Sequence, residues 1–290
     1  MQKFNQFIRE QQIFQNTAEE LMEKLITFGG SAYPKFGNIV IMAGGAGSGK
    51  GFVLSKLVGV EGKVFDVDEL KRLASKTPAI QRRVKKELGV DMEKLGKDLR
   101  NPENVSKLHD IIANFLGADK GKERIFYRSV LTAPSDRKPN IIFDMTMKEL
   151  TKLEKVANDA SKLGYDKKNI HIVWVVNDIE VAKQQNKTRA RQVPSEILVN
   201  THRGAANTMG DILNMGNKLK KYMDGDIVFA FNKVGVDANL STSGKGGSYV
   251  KDANYFYAKK AGKAPMPIDK LDKQIRQKIK DYVPKNVEWN

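Results

Sequence analysis

The stretch Ile39–Phe52, IVIMAGGAGSGKGF, constrains this chain more than any other. Five apolar residues run directly into a segment holding five glycines, a serine and a lysine. Glycine weakens strands and helices, so such a cluster after a buried strand needs a physical reason. The usual reason is that backbone amides must curl around a phosphate. The segment Gly44 to Lys50 fits G-x-x-x-x-G-K between a predicted strand and a predicted helix, the context this motif requires. Gly44, Gly45, Ala46, Gly47, Ser48, Gly49, Lys50, Gly51 and Phe52 thus form the expected nucleotide loop. The amides of Ala46 to Lys50 would wrap a β-phosphate, and Lys50 would bridge the β- and γ-phosphates. The plainer alternative is a glycine-rich turn with an incidental lysine.

One position departs from the usual pattern. Where a Ser or Thr commonly ligates Mg²⁺, this chain has Gly51, followed by Phe52, which cannot ligate a metal. This is similar to the loop of the adenylate kinase group, where glycine also follows the lysine. Mg²⁺ then falls to phosphates, waters and a carboxylate elsewhere.

The rest of the chain supplies strands and helices in alternation. Strands are predicted at Ile39–Ala43, Lys63–Phe65, Asn140–Asp144, Asn169–Val176 and Asp226–Phe231. Helices are predicted at Lys50–Leu57, Lys148–Leu163 (closed by Gly164), Asp178–Lys187 and Pro194–Met223. Continuous apolar strands mean a mainly parallel sheet covered on both faces. The expected fold class is therefore α/β, a three-layer P-loop architecture with a helical insertion and a lid. Residues 1–37 hold an amphipathic helix over residues 1–27, then a Gly/Pro break, GGSAYPKFG (Gly29–Gly37). Residues 38–236 form the main domain, with the insertion at 69–124 and the lid at about 183–194. Residues 237–290 read as a C-terminal extension, with a candidate strand in YFYAKK and a helix after Pro267.

Composition narrows the classes. The 290 residues contain no cysteine, which excludes disulfides and thiolate metal sites. No apolar run is long enough to span a bilayer, and the polar N-terminus lacks a signal-peptide h-region, so no membrane partner and a cytoplasmic setting are expected. The net charge of +16 suits a polyanionic partner, with nucleic acid the obvious one; lysines solvating the surface are the bland alternative. His109, His171 and His202 share no metal-ligand spacing, and His171 alternates into a strand interior.

Three further segments carry chemistry. VFDVDELKR (Val64–Arg72) places Asp66 and Asp68 after the second strand. The carboxyl ends of parallel strands are where ligands bind, and a carboxylate there can take the proton of an attacking hydroxyl. Asp68 is the expected base and Asp66 the expected helix cap, with capping by both as the alternative. NIIFDMTMK (Asn140–Lys148) ends a strand in Asp144, which can orient Mg²⁺ through water; Thr146 and Lys148 follow at the same mouth. Thr146 can equally cap the next helix. NKTRARQVP (Asn186–Pro194) gathers Lys187, Arg189 and Arg191 near Lys183, as a lid that neutralises phosphate charge or as a solvated basic turn.

Taken in order, these segments resemble the zeta-toxin-like branch of P-loop kinases over roughly residues 38–236. The resemblance rests on a glycine loop, a strand ending D-x-D, a strand followed by acid-x-Thr-x-base, LGY (Leu163–Tyr165), an arginine-bearing lid, and DIVFAFNKVG. It implies an ATP-dependent phosphotransferase using ATP and Mg²⁺. Carried over, Lys50 contacts phosphates, Asp68 is the general base, Asp144 and Thr146 shape the acceptor or metal site, and Arg189 and Arg191 stabilise the transferring phosphoryl group. The family tends to show arginine where this chain has Lys148. The expected acceptor is a hydroxyl of a nucleotide-type small molecule. Two other readings stand beside it: a kinase of nucleic acid, at a 5′-hydroxyl or a hydroxymethylated base, and an ATP-switched nucleic-acid binder that transfers nothing.

Overall fold

A computed structural model describes residues 26–31, 34–66, 76–115, 130–189, 192–233, 235–242, 248–285, 287 and 289. The expected N-terminal helix lies, up to residue 25, outside the described residues, as do 69–75 and 116–124 of the expected insertion.

Seven strands form one sheet: β1 (Ile39–Ala43), β2 (Lys63–Asp66), β3 (Ile141–Asp144), β4 (Ile170–Val176), β5 (Ile227–Phe231), β6 (Ala238–Thr242) and β7 (Ser248–Lys259). Their spatial order is β2-β3-β1-β4-β5-β7-β6. The first five run parallel, with Ile39 opposite both Ile141 and Ile170. The last two are antiparallel, β7 to β5 and β6 to β7. The strand expected at YFYAKK is thus the end of a longer one, and the segment after residue 236 adds two strands to the sheet.

The five residues of β1 are all buried because helices cover both faces. Side chains alternate across a strand. Ile39, Ile41 and Ala43 therefore enter one cluster, with residues of α5 (Leu150–Lys162), α7 (Ser195–Asn214) and α8 (Lys273–Tyr282). Val40 and Met42 enter the other, with Val53 of α1 (Lys50–Lys56), Leu57 and Phe28. The insertion folds as α2 (Pro78–Leu88), α3 (Met92–Lys97), α4 (Pro102–Asp110) and a π-turn (Ile111–Phe115) around a small core of its own that includes Val84, Met92, Leu108 and Ile112. A further helix, α6 (Ile179–Thr188), follows β4; the Asp178 carboxylate caps it by accepting from the Glu180 and Val181 amides.

The long helix expected over Pro194–Met223 is interrupted. α7 stops at Asn214, and Gly216 at φ 53° turns the chain into a 3₁₀ segment, Gly216–Lys221. The left-handed conformation is cheap only for glycine and cannot continue an α-helix.

The last described residue, Trp289, is fully buried. It stacks on Trp174 of β4 at 5.3 Å, and its indole Nε1–H donates to the Ala206 carbonyl of α7 at 3.0 Å. Among the described residues no helix is long and apolar enough to cross a membrane. Removing an indole that fills a core site costs about 3–5 kcal/mol. Trp289→Ala is expected to lower the urea midpoint by an amount equivalent to about that free energy, whereas Trp289→Phe, which keeps the stacked ring, is expected to lose less than half of it.

Candidate functional site

Parallel topology creates the site. β1 has β3 on one side and β4 on the other, so the chain leaving β1 emerges where the strand order reverses, the place where open α/β sheets bind ligands. The glycine loop occupies this point. Gly49 caps α1 at φ 88°, and a side chain there would meet the Asn232 amide nitrogen at 2.0 Å. That amide, just past β5, donates to the Ser48 carbonyl at 2.9 Å and holds the loop from below.

From the other side, helix α7 clasps one residue of the loop. The Ala46 amide donates to Thr201 Oγ1 at 3.1 Å, and His202 Nε2 lies 2.9 Å from the Ala46 carbonyl. A carbonyl only accepts, so His202 carries its proton on Nε2. Of the amides expected to ring a phosphate, Ala46 to Lys50, the Ala46 N–H donates to Thr201 and the Ser48 N–H to the Gly45 carbonyl at 3.2 Å. The imidazole approaches so closely that a Cβ on residue 45 would lie 2.0 Å from it, which explains a glycine whose backbone angles need none. Burial pushes the His202 pKa down to about 4, against the lesser upward pull of its bond to Ala46, so it is neutral at pH 7.

Lys50 projects across the loop mouth. Its ammonium donates to the Gly44 and Gly45 carbonyls at 3.0 and 3.4 Å and lies 3.6 Å from Asp144 Oδ1. Asp144 ends β3 and Lys50 opens α1 beyond the loop that follows the adjacent β1, so the fold brings together two residues that the sequence singled out separately. Buried side-chain atoms without partners gather at the same strand ends: Ser48 Oγ, Asn232 Oδ1 and both polar atoms of Asn177. Unsatisfied buried polar atoms are costly and point to a ligand or ordered water. A loop of exposed amides, one lysine and spare buried polar groups fits a phosphate chain. For Mg²⁺ the described residues offer Asp144, and no group of three or more His, Asp or Glu is arranged to hold a metal among them.

The other expected residues are placed less centrally. Asp66 pairs with Asp144 in the β2–β3 register, which puts its backbone at the same rim; its side chain, Asp68 and Arg191 lie outside the described residues. Thr146 is half-buried in the loop after β3 and does not cap α5, whose N-cap is Glu149. Lys148 is exposed and pairs with Glu149 at 3.6 Å. Its backbone is pressed against α7, where a Cβ on Gly204 would meet the Lys148 Cβ at 2.6 Å. Arg189 is exposed at the end of α6, beyond Ala182, which packs on Gly47. The seven residues from Ala182 to Arg189 span about 10 Å of helix. Neither Lys148 nor Arg189 makes a hydrogen bond or ion pair with the described loop. The turn that carries Arg189 is closed by Asn186, whose side chain bonds both the Val193 amide and its carbonyl, at 3.0 and 2.8 Å. The Gln192 amide donates to the Leu99 carbonyl at 2.9 Å, so the turn is anchored on the helical insertion.

Thr201, His202 and Asn232 were not legible as loop contacts. The nearest local hint is the small-residue run Gly204–Ala206, which marks a face of α7 in close packing.

Fold and loop together define the class of P-loop α/β proteins. No family model matches the chain, and no curated protein matches it. Among solved structures, it is similar to a chain of the AvrRxo1-ORF1:AvrRxo1-ORF2 complex with sulphate ions (TM-score 0.42, 11% identity, 92% of this chain and 69% of that one). The same complex with ATP gives a TM-score of 0.44 and 10% identity over 87% of this chain and 65% of that one. The PezAT chromosomal toxin–antitoxin system of Streptococcus pneumoniae gives 0.35 and 14%, over 76% and 74%.

Two outcomes are expected. Gly45→Ala forces a methyl group into the His202 ring and should destabilise the protein by about 1–3 kcal/mol; in the double variant with His202→Ala the collision disappears, and the two losses should fall short of additivity. His202 has a folded pKa below its ordinary 6.5, so the unfolded chain binds the extra proton and stability rises with pH between about 4 and 6.5. Denaturant melts across that window should lose part of this pH slope in His202→Gln, which keeps a donor and cannot titrate.

Proposed function

We propose that the chain is an ATP-dependent phosphotransferase related to the zeta-toxin-like P-loop kinases, and that it moves the γ-phosphate to a hydroxyl of a nucleotide-type small molecule. The observation that carries this reading is the placement of Lys50 3.6 Å from Asp144 across the glycine loop, at the switch point of a parallel sheet.

The chain's own groups divide the work as follows. The loop amides of Gly47, Gly49 and Lys50 hold the β-phosphate, and the Lys50 ammonium exchanges the Gly44 and Gly45 carbonyls for β- and γ-phosphate oxygens. Asp144 would hold Mg²⁺ through water, and that ion would supply further neutralisation of charge. Asp68, two residues past the end of β2, takes the proton of the acceptor hydroxyl. The acceptor oxygen bonds to the γ-phosphorus as the bond from that phosphorus to the β–γ bridging oxygen breaks, leaving ADP. Arg189 and Arg191, beyond α6, neutralise the equatorial oxygens. The insertion α2–α4 borders the acceptor side, since the lid turn is bonded to Leu99.

The absence of a hydroxyl at Gly51 weighs against an ATP switch, which commonly needs one on Mg²⁺. Transfer of labelled γ-phosphate to nucleotides, nucleotide sugars, and DNA or RNA with free hydroxyls tests the proposal. Label on a small molecule supports it; label on a polymer alone replaces it with a nucleic-acid kinase. Asp68→Asn is expected to retain ATP binding and lose transfer by roughly a hundredfold or more, and Lys50→Ala to lose both. Label appearing only as free phosphate, unchanged by Asp68→Asn, would remove the kinase reading.

A further inference from the structure

The cationic excess of this protein has a location apart from the glycine loop. The loop sits at the carboxyl ends of the parallel strands. Three turns converge at the opposite pole: Lys167–Asn169 before β4, Gly216–Lys221 before β5, and the residues after Lys259 at the end of β7. Their backbones are tied together through Asp224. Its amide donates to the Lys167 carbonyl at 2.8 Å, and its carbonyl accepts from the Gly262 amide at 2.9 Å. The Lys220 ammonium closes the group on the Gly262 carbonyl at 3.3 Å.

Lys167, Lys168, Lys218, Lys220, Lys221 and Lys263 are exposed on this pole. Asp166 balances one of them, and the other acids nearby are engaged elsewhere. Asp166 pairs with Lys168 at 3.3 Å. Asp224 pairs with Lys259, whose side chain is fully buried, at 3.0 Å. Asp226 is buried against His171 and accepts from the Gly29 and Ala261 amides. Among the described residues no carboxylate lies against Lys167, Lys218, Lys221 or Lys263. The fold therefore holds several like charges together with little internal compensation, at some cost in repulsion.

We propose that this pole is a docking face for the phosphate backbone of a nucleic acid. Its cations are all lysines, compact hydrated charges that suit phosphate contacts without fixed geometry. Among the described residues, the large exposed apolar side chain that follows these turns is Met266, after β7, so the face has little to insert into a lipid surface. β4 has seven residues and β5 has five, which at about 3.3 Å per residue places the face about 17–23 Å from the glycine loop. A nucleic acid bound here is held away from the site of transfer, so docking and phosphotransfer separate by mutation. The inference does not depend on the phosphotransferase reading.

The test is fluorescence anisotropy of a labelled duplex of about 25 base pairs, without nucleotide, from about 50 to 200 mM salt. The full chain is expected to bind, with a log–log salt slope steeper than about −3. The triple variant Lys218→Ala, Lys220→Ala, Lys221→Ala should weaken binding about tenfold or more and flatten the slope by about 2–3, while its thermal melt stays cooperative. A control triple on another surface, Lys273→Ala, Lys280→Ala, Lys285→Ala, should change affinity less than twofold, and Lys50→Ala should leave it unchanged. No salt-dependent binding, or equal losses in both triples, overturns the proposal. So does displacement by polyglutamate at the same charge concentration, which assigns the face to an acidic protein. Capture by phosphatidylserine vesicles without duplex binding assigns it to a membrane and equally overturns it.

Discussion

The close approach of helix α7 to the glycine loop is the constraint on which the rest of the site depends. Thr201 and His202 hold the backbone N–H and C=O of one residue, Ala46, and the imidazole fills the space that any side chain at residue 45 would need. Asn232 grips the loop from β5 in the same manner, one amide against one carbonyl, with a glycine at the point of contact. Glycines at 45 and 49 thus answer to neighbours in the fold. A loop of exposed amides is a poor structure alone, and here its shape is imposed from outside by one helix and one strand end.

The same helix reaches both ends of the site and the core. Gly204 lets it pass against Lys148 in the loop after β3, so the segment carrying Asp144 and Thr146 rests on α7 as well. Two residues further on, the Ala206 carbonyl accepts the Trp289 indole N–H, and Ala206 is packed in the core. A shift of α7 would therefore displace the phosphate loop and the carboxylate loop together, which keeps Lys50 and Asp144 in register with each other.

The sequence made the parallel half of the sheet legible. β1, β3, β4 and β5 are short continuous apolar runs, a pattern that buried parallel strands impose, and the motif loop is local in sequence. The hairpin of β6 and β7 was far less legible, because ANLST and SYVKDANYFYAK mix charged, polar and aromatic residues without a clean period. The break in α7 at Gly216 left only an isolated glycine as a signal. His202 could not be read at all, since its partner lies 156 positions away and nothing near it marks a loop contact. Lys50 and Asp144 were each singled out from local motifs, but their contact was not, because it depends on β1 and β3 lying side by side in the sheet.

The sheet is completed late. Tyr257 of β7 bonds Thr27 across 230 positions, and Trp289 bonds Ala206 across 83. Contacts this remote in sequence must wait until long loops have closed, and chains dominated by them fold slowly. While they wait, the largely apolar β4 and the apolar β5 stand uncovered, and unpaired apolar strands recruit other chains. The route by which this protein reaches its native state should accordingly be the stage at which it most needs chaperones, and overexpression without them should direct the chain into inclusion bodies rather than soluble protein.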